Sequence, residues 1–127
     1  MAAALPRRRI LVADDEPSVR ELLKQYFAVQ HAAYDVETVA SGEEAVRAVR
    51  ERRPALVLLD IEMPGMGGVD ALRAIRAFDT RIPVVMVTGN ESARIAGEVI
   101  ALGALSYLPK PVRFDYLDHL VATALTR

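Results

Sequence analysis

Four polar interruptions of an otherwise apolar pattern hold the residues able to do chemistry. Asp14, Asp15 and Glu16 follow the run Ile10, Leu11, Val12, Ala13, and Asp60 follows Ala55, Leu56, Val57, Leu58 and Leu59. Thr88 closes Pro83, Val84, Val85, Met86, Val87, and Lys110 comes just after Leu105, Ser106, Tyr107, Leu108. Taken alone, Asp60 serves as well to cap its strand or the next turn, and Thr88, Tyr107 and Lys110 each have ordinary packing or solvent roles. Together they point further. Carboxylates that converge repel, each pair at ~4 Å by about 4 kcal/mol at an effective dielectric near 20. One lysine does not offset three of them, whereas a hard dication does, and an all-oxygen, partly open site suits Mg²⁺. A carboxylate beside Mg²⁺, a lysine and a hydroxyl is suited to phosphoryl chemistry, in which the carboxylate can itself attack and become an aspartyl phosphate.

The elements around these residues alternate. Wholly apolar runs with turn residues on both sides read as strands buried on two faces. After the first run, Pro17 opens a helix whose Val19, Leu22, Leu23, Tyr26 and Phe27 form a core-facing stripe. Tyr34 to Ala40 alternates polar and apolar residues, as expected near a sheet edge. Ser41 with Glu44 makes a capping box for a helix buried through Ala45, Val46 and Val49. Val69, Leu72 and Ile75 mark a third helix; Ile95, Val99 and Leu102 a fourth, stopped at Gly103; Phe114, Leu117, Val121 and Ala124 a fifth. Five strand–helix units in strict alternation give a parallel sheet covered by helices on both faces, a doubly wound α/β fold. Parallel strands share one C-terminal edge, where ligands of such sheets bind. All four polar interruptions fall there.

Composition narrows the classes. With 127 residues the chain forms one domain, and a net charge of −1 gives no general attraction to nucleic acid or to anionic membranes. Cysteine is absent, and His31 and His119 lie far apart, which removes thiol chemistry and argues against zinc. No apolar run reaches the ~20 residues of a membrane span, and the start lacks a signal-peptide core, so the cytoplasm is expected. Arg7, Arg8 and Arg9 are expected to be a solvated lead-in, and Arg50, Glu51, Arg52 and Arg53 to face solvent.

The ordered set of Asp14 and Asp15, Asp60 with Met63, Pro64 and Gly68 behind it, Thr88, and Gly103 and Ala104 through Tyr107, Leu108, Pro109, Lys110 and Pro111 resembles the receiver domain of bacterial two-component response regulators, CheY-like domains. The resemblance implies a flavodoxin-like (βα)5 fold with strand order 2-1-3-4-5, residues 1–8 forming a flexible lead and 9–127 the domain. It implies that Asp60 accepts a phosphoryl group from a phosphohistidine on a sensor histidine kinase or phosphotransfer protein. It assigns Mg²⁺ to Asp15, Asp60 and the backbone carbonyl of Glu62, with Asp14 acting through water. Lys110 would pair with the phosphoryl group, and Thr88 would move to hydrogen-bond it. Tyr107 would swing inward in response, reshaping the face of the fourth helix, fifth strand and fifth helix towards an output partner or domain, a phosphorylation-dependent homodimer among them. The resemblance further implies a cis Lys110–Pro111 bond, places Gly89 and Gly67 where relatives often carry larger residues, and implies no enzymatic role beyond the domain's own phosphorylation and dephosphorylation. A haloacid-dehalogenase-like phosphatase competes poorly, because Glu62 stands where a second aspartate is needed and no cap insertion follows. A phosphate-independent adaptor is disfavoured by the intact Asp15, Asp60, Thr88 and Lys110.

Overall fold

The computed structural model of the chain describes residues 7–30, 34–89 and 93–126. His31 lies outside them. The elements are β1 (Arg8–Ala13), α1 (Pro17–Ala28), β2 (Tyr34–Val39), α2 (Gly42–Glu51), β3 (Leu56–Asp60), α3 (Gly68–Phe78), β4 (Val84–Thr88), α4 (Ala93–Ala101), β5 (Ser106–Pro109) and α5 (Phe114–Leu125). All pairings are parallel, in the order β2-β1-β3-β4-β5. This is the doubly wound arrangement expected from the alternation of elements, in the flavodoxin-like strand order that the resemblance implied.

Side-chain alternation along the strands sorts the core into two layers. Leu11, Val57, Leu59, Val84 and Met86 meet α2 and α3 on one face. Ile10, Val12, Leu56, Leu58, Val85 and Val87 meet α1 and α5 on the other. The three middle strands are covered on both sides, which is why their sequences are unbroken apolar runs. β2, at the edge, is half-buried along most of its length rather than cleanly alternating. Ser41 caps α2 as its sequence indicates, accepting from the Glu44 amide at 3.2 Å. Gly103 ends the turn after α4 at φ +104°, a conformation that glycine adopts without a Cβ penalty.

Three readings of the side chains need correction. Arg9 is no solvated lead-in: it is 8% exposed. Its Nε donates to the Arg52 carbonyl at 3.0 Å, its Nη2 to the Ala48 carbonyl at 3.3 Å, and it forms an ion pair with Glu37. A long side chain can bury its stem when backbone carbonyls receive its head, which a charge run in sequence does not reveal. Leu22 and Phe114 do not face the core; both are exposed. On α1 the stripe turns through Leu23, Tyr26 and Phe27, and on α5 it starts at Leu117. The solvent-facing reading of Arg52 and Arg53 holds, with Arg52 paired to Asp35 and Arg53 to Asp79.

Candidate functional site at the C-terminal edge of the sheet

Backbone ladders run on past the strand ends and fix the polar residues. The Asp14 amide donates to Val39 O at 3.1 Å, the Ile61 amide to Val87 O at 3.1 Å and the Lys110 amide to Thr88 O at 2.8 Å. Carboxylates and lysine are thereby carried on the rigid rim of the sheet. The loop after β3 is held in turn. The Gly68 amide donates to Ile61 O at 2.9 Å, and the Met66 amide to Glu43 Oε1 on α2 at 2.8 Å. A Cβ at Gly68 would lie 2.0 Å from the Asp60 carbonyl oxygen, so only glycine lets α3 begin so close to the end of β3.

Asp14, Asp15 and Asp60 present carboxylate oxygens that all lie within 4.8 Å of one another. Asp14 and Asp60 are almost wholly buried, at 1% and 2% exposure, while Asp15 faces solvent. Lys110 Nζ stands 3.0 Å from Asp14 Oδ2, 3.0 Å from Glu16 Oε1 and 3.6 Å from Asp60 Oδ2. The Glu62 amide donates to Asp60 Oδ1 at 3.3 Å, and the Glu16 amide to Asp14 Oδ1 at 2.9 Å. A cavity of about 380 Å³ opens over the group, lined by Asp15, Glu16, Asp60, Glu62, Gly89 and Lys110.

The electrostatics follow from this crowding. Burial, then the charge of Asp14, push the Asp60 carboxyl up to about 6, although Lys110 and the Glu62 amide pull the other way. For Lys110, burial disfavours the ammonium, but its contacts with Asp14 and Glu16 and the charge of Asp60 outweigh that and hold it above the usual lysine range. Among the described residues, Asp14 Oδ2 is the buried side-chain oxygen left without a directed hydrogen bond, despite its ion pair with Lys110. Three carboxylates gathered around one ammonium fit a hard cation with oxygen ligands.

Most of the residues singled out in sequence come together here, but not all in the same way. Asp14, Asp15, Asp60 and Lys110 converge, and Glu62 lines the cavity. Thr88 is buried at the end of β4. Tyr107 is half-buried on β5, in register with Met86, and packs against the layer that holds Met86. Alternation therefore places Thr88 and Tyr107 on the same face of the sheet, as diagonal neighbours. The Lys110–Pro111 peptide is cis, as the resemblance implied. Sequence reading passed over Glu16 as a partner of Lys110; its place two residues after Asp14 was the available signal.

A parallel open sheet with an acidic cluster and a lysine on its C-terminal rim defines a doubly wound α/β domain with a charged site at the edge where such sheets bind ligands. The chain belongs to the response regulator receiver domain family, whose model matches residues 10–122. It is 40% identical over 121 residues to the DNA-binding response regulator MtrA of Mycolicibacterium smegmatis, covering 95% of this chain and 52% of the relative. It is 37% identical over 117 residues to the regulatory protein AtoC of Escherichia coli, covering 92% of this chain and 25% of that protein. The chain thus spans about half or less of these curated relatives. Among solved structures it is similar to the signal receiver domain of a LuxO repressor protein of Vibrio parahaemolyticus (TM-score 0.89, 34% identity, 96% of this chain and 92% of that one). It also resembles a chain of the CheX–CheY–BeF3–Mg complex of Borrelia burgdorferi (TM-score 0.87, 26% identity, 94% and 90%). Receiver domains bind Mg²⁺ at an acidic aspartate cluster, and Asp14, Asp15 and Asp60 form such a cluster. No helix among the described residues is long and apolar enough to cross a membrane.

Proposed function

We propose that the chain is a phosphoacceptor switch of a two-component pathway, taking a phosphoryl group on Asp60 from a phosphohistidine of a sensor kinase or phosphotransfer protein. The observation that carries this reading is the placement of Asp60: a buried carboxylate at a rigid strand end, opening into a cavity beside Asp14, Asp15 and Lys110. An Asp60 carboxylate oxygen attacks phosphorus, the P–N bond breaks with its electron pair leaving on the imidazole, and an acyl phosphate remains. Asp15, Asp60 and the Glu62 carbonyl, with Asp14 through water, would hold Mg²⁺, which neutralises charge on the phosphoryl oxygens. Lys110 pairs with the transferred group once it lets go of Glu16 and Asp14.

Signal output follows from Thr88 and Tyr107. Reversing a 99:1 equilibrium takes about 5.5 kcal/mol, more than the roughly 1.5–3 kcal/mol of one charge-assisted hydrogen bond. Thr88 therefore works together with Lys110 and the dication, and Tyr107 transmits its movement to the face of α4, β5 and α5. An apolar strip of Val19, Leu22, Pro111 and Val112 adjoins Lys110 and offers a helix of the phosphodonor a seat, which accounts for the exposure of Leu22. The proposed setting is cytoplasmic, with an output partner, an output domain or a second copy of the chain reading the switch; of the lead expected over residues 1–8, residues 1–6 lie outside the described residues and Arg8 already belongs to β1. Incubation with acetyl phosphate and Mg²⁺ tests the reading. One hydroxylamine-labile label per chain is expected on the wild type and none on Asp60→Asn; equal labelling of the variant contradicts it.

A further inference from the structure

At the opposite edge of the sheet, where the strands begin, lies a cavity of about 600 Å³ lined by Arg8, Arg53, Thr80 and Arg81, with Pro54 and Leu125 on its apolar side. That volume falls within the roughly 300–1,000 Å³ of small-molecule sites. Arg8 opens β1, Arg53 and Pro54 precede β3, Thr80 and Arg81 precede β4, and Leu125 ends α5, so four elements bring the lining together.

The arginines are only partly engaged. Asp79 accepts from Arg53 Nε at 2.7 Å and from Arg81 Nε and Nη2 at 3.2 and 3.3 Å. Arg8 donates through Nη1 to the Leu125 carbonyl at 2.7 Å. Among the described residues, both Nη groups of Arg53, Nη1 of Arg81 and Nη2 of Arg8 have no hydrogen-bond partner. Among the described residues, Asp79 is the sole carboxylate paired with these guanidiniums, one negative charge against three positive ones. Guanidinium forks match tetrahedral oxyanions in pairs, and a phosphomonoester near pH 7 carries close to two negative charges. A monocarboxylate matches neither the charge nor the number of donors.

We propose that this cavity binds a phosphate-bearing small molecule, its phosphate on Arg53 and Arg81 with Arg8 at the side, and its organic body against Pro54 and Leu125. The site is separate from the Asp60 cavity and does not depend on phosphoryl transfer there. The test is an NMR titration of the full chain with adenosine monophosphate in EDTA, so that no dication bridges the phosphate to the acidic edge. Saturation with a dissociation constant below about 1 mM is expected, with amide shifts centred on Arg53, Ala55, Thr80 and Arg81, and no such shifts from acetate. The double variant Arg53→Gln, Arg81→Gln is expected to weaken binding by roughly tenfold or more. Asp79→Asn keeps an acceptor for the Arg81 amide, which now donates to Asp79 Oδ1 at 2.9 Å, yet removes the competing charge. It is expected to tighten binding several-fold, a gain that a purely structural role would not produce. Absence of saturation by about 10 mM, shifts confined to the acidic edge, or unchanged affinity in either variant overturns the proposal.

Discussion

Where the strands end, Asp14 and Asp60 are withdrawn from water and crowded with Asp15 around one lysine; where they begin, Arg8, Arg53 and Arg81 stay at the surface around one carboxylate. The same sheet builds both edges, yet the energetic consequences differ. Exposed guanidiniums keep their hydration and repel one another weakly, and Asp79, held well below the usual carboxylate range by Arg81 and then Arg53, is comfortable as their shared counterion. Buried carboxylates lose hydration and raise one another's proton affinity, as the Asp60 carboxyl shows. A fold tolerates such a cluster when function needs it, and on the proposed reading the stability lost at the acidic edge in the free protein would be returned as affinity for a cation.

The contrast yields graded expectations. Gly68→Ala, on the acidic side, is expected to have the largest effect, because its Cβ would meet the Asp60 carbonyl at 2.0 Å with backbone on both sides. A loss of about 3 kcal/mol or more is expected in urea unfolding, by overpacking that cannot relax. Stability within 0.5 kcal/mol of wild type, roughly the scatter of neutral surface changes, would show that the start of α3 is not wedged against β3. Arg9→Ala comes next. Arg9 is the basic-edge arginine that does behave like the acids, buried and satisfied by Glu37 and by two carbonyls. Its truncation is expected to cost about 2 kcal/mol in the same measurement, since two carbonyls lose donors while Glu37 stays partly in water.

Much of this was legible in the chain. Unbroken apolar runs in Leu56–Leu59 and Val84–Val87 announced doubly covered strands, and strict alternation with helical stripes then left a parallel sheet and one ligand-binding edge. The positions of Asp60 and Lys110 followed from that geometry. What escaped were facts set by partners distant in sequence. Arg9 is buried because the carbonyls of Ala48 and Arg52 come to it, and Lys110 meets Glu16 across 94 residues. Leu22 and Phe114 satisfied a helical period but fell at the margin of their stripes, where a shift of one position separates core from solvent. The basic edge was invisible for the same reason: Arg8, Arg53 and Arg81 are scattered in sequence and meet only through the sheet.

The central claim is that Asp60 is held in a site whose uncompensated negative charge is meant for a dication. The most direct measurement is thermal unfolding at pH 7 of wild type and Asp60→Asn, each with EDTA and with excess Mg²⁺. In EDTA the variant is expected to be the more stable by about 1–2 kcal/mol, because it removes one charge from the repelling cluster. Mg²⁺ is expected to raise the wild-type midpoint by several degrees and to leave the variant nearly unmoved. A variant that is less stable in EDTA and gains as much from Mg²⁺ as wild type would contradict the account.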